Sequence, residues 1–181
     1  MTTCRASLTR YAAASSDVVH GIDIRVHRVP KSLTFQYVLR ADMRRVRVPF
    51  SEASVRTDGL WRHTCFEAFI ASADAGYYEL NFSPSAQWAI YSFQGYRERM
   101  SPVDVMAPPD LAVRHFDDRL EVDATVRTDD LVALREAHTL KLAVTAVIED
   151  DSGTLSYWAL KHAPGKPDFH HTDGFVLELP T

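Results

Sequence analysis

The sequence predicts an all-β fold, a jelly-roll-like antiparallel β-sandwich of about ten strands with one short helix. Three observations predict it. Apolar and polar residues alternate with a period of two along much of the chain, the pattern of half-buried strands. Clusters of Asp, Gly, Pro and Ser separate the alternating runs, as at Asp74-Ala75-Gly76, Ser83-Pro84-Ser85 and Asp150-Asp151-Ser152-Gly153. A single segment reads clearly as helix, so the crossovers that a parallel βαβ sheet needs are missing.

The elements follow in chain order. Residues 1–17 are expected to be a flexible or edge segment. Ile22, Ile24 and Val26 then alternate with Asp23, Arg25 and His27, and Leu33, Phe35, Tyr37 and Leu39 with Thr34, Gln36, Val38 and Arg40. Shorter strands are predicted at 45–48, 64–71, 77–83, 86–93, 111–116, 154–160 and 175–179. Leu120, Val122, Ala124 and Val126 form one more alternating run, and Leu140, Leu142, Val144 and Ala146 another. Between these two, Thr128 is expected to cap a helix from Asp129 to Glu136, with acidic residues in its first turn. Residues 101–110 carry Pro102, Pro108 and Pro109 and read as a connection within the domain.

Size and charge narrow the function classes. A chain of 181 residues fits a single domain and buries roughly 70% of the surface its unfolded form exposes. The net charge is −4, and the nearest approach to a basic run, Arg44-Arg45-Val46-Arg47, is interrupted by an apolar residue and reads as the solvent face of a strand. Nucleic-acid binding is disfavoured. Cys4 and Cys65 make no disulfide framework; Cys65, inside an apolar run, reads as a buried thiol. No apolar run approaches the ~20 residues that span a bilayer, and Met1 to Asp17 has no secretory h-region, so the expectation is a cytoplasmic protein without a membrane partner.

The informative stretch begins at Leu60-Trp61-Arg62-His63-Thr64-Cys65-Phe66-Glu67-Ala68-Phe69-Ile70. It continues through Tyr77-Tyr78-Glu79-Leu80-Asn81-Phe82-Ser83-Pro84-Ser85 to Trp88-Ala89-Ile90-Tyr91-Ser92-Phe93 and Tyr96-Arg97. A three-strand meander is the simplest topology. Parity puts Phe66, Ile70, Tyr78, Leu80 and Phe82 on a core face, and Glu67, Glu79 and Asn81 on the other face among aromatics. Two carboxylates on neighbouring strands repel unless cations or donors intervene, and Arg97, Lys161 and Lys166 are the candidates. A solvated sheet face with scattered charges explains the carboxylates cheaply. It explains Trp61, Phe69, Tyr77 and Tyr91 around them less well, because exposed aromatics group at binding surfaces. A second stretch runs from Tyr157 to Phe175, a strand that leads into a Pro/Gly-stiffened loop rich in Lys, Asp and His. Such a loop pre-positions polar side chains, or is simply a capped turn with His170 and His171 at the surface.

These residues resemble the DOMON-like domains, a β-sandwich superfamily that includes the family 9 carbohydrate-binding modules. The resemblance rests on Cys65-Phe66-Glu67-x-Phe69 leading to Tyr77-x-Glu79-x-Asn81-x-Ser83-Pro84-Ser85. The ending, Trp158-x-Leu160-Lys161-His162 followed by Gly165-Lys166-Pro167-Asp168-Phe169-His170-His171, resembles the bacterial cytoplasmic branch of that group. The resemblance implies a ligand on a concave sheet face. Sugar-binding members clamp a sugar ring between aromatic residues, a part for which Trp61, Trp88 and Trp158 are the candidates. Haem-binding members use an axial Met and His; Met100 and His162, His170 or His171 are available, without a recognised spacing. Secreted members carry a signal peptide, which is not seen here.

The reading is therefore a non-catalytic small-ligand domain for a carbohydrate or sugar derivative. Its candidate ligand-binding residues are Trp61, Glu67, Glu79, Asn81, Trp88, Tyr91, Arg97, Trp158, Lys161, His162, Lys166, Asp168 and His170. Three alternatives stand beside it. They are a haem-binding domain, a glycoside hydrolase-like enzyme using Glu67 and Glu79 as a carboxylate pair, and an interaction module with no small-molecule pocket at that face. No catalytic residue, metal ligand or cofactor is assigned: His63 and Cys65 lack an orienting third group, and His162, His170, His171 and Asp173 lack a metal-ligand spacing.

Overall fold

The computed structural model describes residues 1–12, 17–50, 53–71, 76–98, 100–135 and 137–180. Twelve strands form one continuous curled sheet, and every strand pairing is antiparallel. They are β1 (Thr2–Arg10), β2 (Val19–Val29), β3 (Ser32–Ala41), β4 (Cys65–Ala71), β5 (Tyr77–Phe82), β6 (Trp88–Phe93), β7 (Ser101–Pro102), β8 (Asp110–His115), β9 (Arg119–Arg127), β10 (Thr139–Glu149), β11 (Leu155–Ala159) and β12 (Leu177–Pro180). The order is β7-β6-β5-β4-β10-β11-β1-β2-β3-β9-β8, with β12 also on β10. Curling folds the sheet into two layers. The first, β1-β2-β3-β9-β8, packs on the second, β7-β6-β5-β4-β10-β11.

The hinge between the layers is β1. Thr2 to Leu8 pair with β2, and Thr9 and Arg10 pair with Ala159 and Trp158 of β11. Of residues 1–17, expected to be a flexible or edge segment, Thr2–Arg10 is thus an interior strand of the sheet, and 13–16 lie outside the described residues. Its apolar positions, Cys4, Ala6 and Leu8, are small or few, so the alternation that marks the other strands is faint there.

Alternation elsewhere builds the interlayer core. Phe35, Tyr37, Leu39 and Val122 face Phe66, Ile70, Leu80, Phe82 and Val144, all fully buried. Phe35 meets Phe82 with ring centroids 6.0 Å apart, and Tyr37 meets Phe66 at 5.0 Å. The Tyr37 hydroxyl donates to the backbone carbonyl of Glu67 at 2.9 Å, tying β3 to β4 through the core.

Two expected elements differ. Residues 45–48 are not a strand. Met43–Arg45 is a 3-10 turn, and Val46 makes a lone bridge to Asp150. Arg44, Arg45 and Arg47 bond Asp42, Asp17 and Glu149, so this basic segment is charge-paired. The expected helix after Thr128 is a pair of 3-10 turns, Thr128–Asp130 and Val132–Leu134, broken at Leu131, whose φ of −99° and ψ of 80° leave the helical region. Leu131 and Leu134 anchor these turns in the core, while Thr128 makes no capping bond; Glu136 lies outside the described residues. Packing two leucines outweighs the weak propensity of so short a segment. Among the described residues no helix is long and apolar enough to cross a membrane.

The β4–β5–β6 meander depends on Gly76. Its φ of +74° is in the left-handed region, and a Cβ there would run into the backbone carbonyl of Phe93. Of the expected turn before β5, Asp74 and Ala75 lie outside the described residues. Gly76→Ala is expected to lower unfolding free energy by more than about 1 kcal/mol, read as an earlier midpoint in urea.

Candidate ligand-binding site

The outer face of the β6-β5-β4-β10-β11 layer carries the side chains of opposite parity to the core. Cys65, Glu67 and Phe69 project from β4, Tyr77, Glu79 and Asn81 from β5, and Ala89, Tyr91 and Phe93 from β6. Two segments wall this face. The 3-10 turn Leu60–Arg62 sets Trp61 edge-on against Tyr91 at 5.9 Å, and the Tyr91 hydroxyl donates to Asp58 at 2.5 Å. From the other side the loop after β11 brings Phe169 against Tyr157 at 6.1 Å and wedges the His170 ring between Phe69 and Phe93, at 5.0 and 5.1 Å.

A cavity of about 410 Å³ remains between these walls, within the usual ~300–1,000 Å³ of small-ligand sites. Glu67, Phe69, Glu79, Phe93 and Val147 form its floor. Trp61 and Tyr157 flank it, and Arg97, Met100, Pro167, Phe169 and His170 close it. A larger hollow of about 560 Å³ lies on the outer face of the β2-β3-β9-β8 layer. It is a solvated mosaic in which Arg40 pairs with Asp23, and Arg114 with Glu121 and Asp123. Such exposed mutual pairs leave little unspent for a ligand.

The carboxyls in the floor are unusual. Glu67 is 2% exposed and Glu79 5% exposed. Register places Asn81 directly opposite Glu67 and Phe69 opposite Glu79, so the two acids are diagonal neighbours. Asn81 donates its amide to Glu79 Oε1 at 2.8 Å, and Thr145 donates to Glu67 Oε2 at a long 3.4 Å. Glu67 Oε1 has no partner. Burial, and then the charge of Glu79, push the Glu67 carboxyl well above the usual range; Glu79 is also raised by burial, with the Asn81 bond and Arg97 opposing. Beside them Cys65 is a neutral thiol, pushed up first by burial and then by Glu67.

The closing loop is held by a separate network. Arg97 bonds Asp168 at 2.9 Å, Tyr96 donates to Asp168 at 2.5 Å, and the His170 N–H donates to Asp168 at 3.1 Å. Burial raises the Asp168 carboxyl, but these three bonds outweigh it and hold it below its ordinary value. Arg97 has a φ of 54°, an uncommon backbone state for a side-chain-bearing residue, and its N–H donates to the Tyr77 hydroxyl at 3.1 Å. Tyr77 therefore has its O–H to donate to His170 Nδ1, 2.7 Å away. This network assigns the ring proton to Nε2, which faces Glu79 Oε2 at 3.7 Å. Burial, reinforced by Arg97, lowers the imidazole to about 4, so His170 is neutral at pH 7.

The predicted site residues separate into three groups. Trp61, Glu67, Glu79, Arg97 and His170 line the cavity together. Asn81, Tyr91 and Asp168 stand behind it as braces for Glu79, Trp61 and the loop. The remaining five do not line the cavity. Trp88 and Trp158, each 6% exposed, share parity with the interlayer core and pack there, and the Trp158 indole donates to Ser156. They are therefore not ring clamps on the outer face. Lys161 and Lys166 are exposed and do not separate the carboxyls; the Asn81 amide and the Thr145 hydroxyl take that role. His162 bonds the Thr9 carbonyl at 2.8 Å and packs on Tyr11, fastening the loop to β1.

Among the lining residues not expected there are the aromatic Phe93, Tyr157 and Phe169. Parity alone marks the first two: Phe93 follows Tyr91, and Tyr157 faces opposite to Trp158. Phe169 carried no such signal, because loop residues have no period. Among the described residues no group of three or more His, Cys, Asp or Glu could hold a metal ion. Met100 and His170 do line the same cavity, but Tyr77 occupies His170 Nδ1 and Glu79 faces Nε2, so this pair does not fit as axial haem ligands.

The chain has a CBM9-like β-sandwich fold. It superposes on a candidate carbohydrate-binding protein from Bacteroides uniformis with a TM-score of 0.72 at 14% identity, covering 99% of this chain and 85% of that one. It also superposes on a family 9 carbohydrate-binding module from Caldicellulosiruptor kristjanssonii, solved with cellotriose, with a TM-score of 0.55 at 10% identity over 96% of this chain and 80% of that one. At these identities the likeness is one of fold. No family model and no curated protein matches the chain in sequence.

Proposed function

We propose that this chain is a non-catalytic domain that binds a carbohydrate or sugar derivative in the cavity over β4, β5 and β6. The observation that carries the reading is the unpartnered Glu67 Oε1, an acceptor buried in the floor of an aromatic-walled hollow. A buried polar atom without a partner costs about 1–3 kcal/mol, and a ligand hydroxyl supplies the missing bond. Trp61, Tyr157 and Phe169 line the hollow with aromatic surface suited to the apolar side of a pyranose. Two further points support the reading. Both blocks that resemble DOMON-like domains contribute here, one Glu67, Phe69 and Glu79 of the floor, the other Pro167, Phe169 and His170 of the wall. The fold is also similar to that of a module solved with cellotriose.

The solved structures that share the fold are described as carbohydrate-binding, which supports a binding rather than a hydrolytic role. Two unpaired cysteines are consistent with a cytoplasmic setting.

The test is calorimetric titration with mono- and oligosaccharides, glucose and cellotriose included. Trp61→Ala is expected to weaken the best-binding sugar by at least about tenfold, the loss of roughly 1.4 kcal/mol. Equal affinity in the variant, or no binding of any sugar by the parent chain, would remove the proposal.

A further inference from the structure

We infer that the ligand carries an ammonium group, as an amino sugar does, and that Glu67 and Glu79 receive it while the aromatic walls take the ring. The inference rests on the reading of the cavity as a sugar site and names the class of sugar.

The argument begins with what the floor lacks. Glu67 is nine-tenths buried or more and has one free oxygen; its other oxygen has only the long Thr145 bond. A neutral hydroxyl satisfies one acceptor but brings no positive charge to two neighbouring acids. The nearest cation, Arg97, is already bonded to Asp168. His170, the other basic group against Glu79, is held neutral by burial. Around the pair, Cys65 on β4, Tyr91 on β6 and Tyr37 from the opposite layer are all held in their neutral forms, chiefly by burial. No element packed on these carboxyls brings them a free positive charge, among the described residues. The walls are suited to a cation as well: Trp61, Phe69 and Tyr157 present π-electrons, which attract an ammonium in a desolvated site by about 1–2 kcal/mol.

Without ligand, burial and the closeness of the two acids favour a shared proton over two bare charges. An ammonium displaces it, so binding of an amino sugar releases a proton to solvent, whereas binding of a neutral sugar does not.

The experiment is calorimetric titration at about pH 6, where a sugar amine is protonated, in two buffers of different ionisation heat. The probes are glucosamine, glucose, N-acetylglucosamine and 2-phenylethylamine, against the parent chain, Glu67→Gln and Glu79→Gln, each checked for folding by its thermal melt. Glucosamine is expected to bind at least about tenfold more tightly than glucose or N-acetylglucosamine, with a buffer-dependent heat that reports proton release. Glu67→Gln should bring glucosamine down to the level of glucose. If glucose binds as tightly as glucosamine with no proton release, the ammonium inference is overturned and sugar binding stands. If 2-phenylethylamine binds with proton release and no sugar binds, the ammonium inference holds and the sugar reading fails. If nothing binds, both fall.

Discussion

Phe66→Ala is expected to lower the unfolding free energy by about 3–5 kcal/mol, a large share of the ~5–15 kcal/mol that keeps a domain folded. Phe66 is fully buried between the layers, packed on Tyr37 from β3 and opposite Phe82 on β5. Alanine leaves a void bordered by strands fixed on both sides by ladder hydrogen bonds, so little collapse can fill it. The measurement is a urea transition. Its midpoint should fall with an unchanged slope, because the surface exposed on unfolding is nearly the same. A loss below about 1 kcal/mol would mean that the two layers are less tightly interlocked than the Tyr37–Phe66 contact implies. Phe66 adjoins Glu67 in sequence but faces the other way, so the variant also asks whether the cavity floor depends on the core beneath it.

The second large effect is in acid. His170 titrates at about 4 when folded, against 6.5 when free. Between these values the unfolded chain binds the proton and the folded chain does not, so stability falls as pH falls. The contribution is complete above pH 6.5 and is lost on the way down to about 4, amounting to at most about 3 kcal/mol. Glu67 and Glu79 work in the opposite sense. Their raised folded values mean that the stability they lend is present in acid, below the unfolded value, and is lost as pH rises through the folded values. The parent chain therefore shows a flattened profile, and the His170 effect emerges by difference. The stability of the parent minus that of His170→Gln should shrink by up to about 3 kcal/mol between pH 7 and pH 4. A difference that does not change with pH would show that the imidazole is not shielded from water as described.

Much of this architecture was legible because a two-residue period reports burial directly. Ile22 to Val26, Leu33 to Leu39 and Leu120 to Val126 place their strands and their inward faces without help from tertiary structure. The same parity that set Glu67, Glu79 and Asn81 on one face also assigns Trp88 and Trp158 to the core. For these two tryptophans parity, not the suitability of an indole ring for stacking on sugar, determines the face they occupy. The strand from Thr2 to Arg10 was not legible. Two of its inward residues, Cys4 and Ala6, are small, and one of its partner strands, at Ala159, lies far along the chain. The segment after Thr128 read as helix because its composition suits one; two buried leucines at tertiary contacts fixed a tighter turn. Phe169 and the bonds converging on Asp168 were illegible for a related reason, since they depend on how a loop returns over a sheet.

The position of β1 at the seam has a consequence for how the molecule is made. Thr9 has its partner 150 positions further on, at Ala159. During synthesis the first strand can zip onto β2 early, but its last two residues wait until Trp158 and Ala159 have emerged. Until then the second layer has a raw margin at β11, the kind of open border that recruits other chains. Assembly dominated by such distant partners is slow, on the scale of milliseconds to seconds. The nascent protein is thus most exposed to aggregation in the interval before this seam closes.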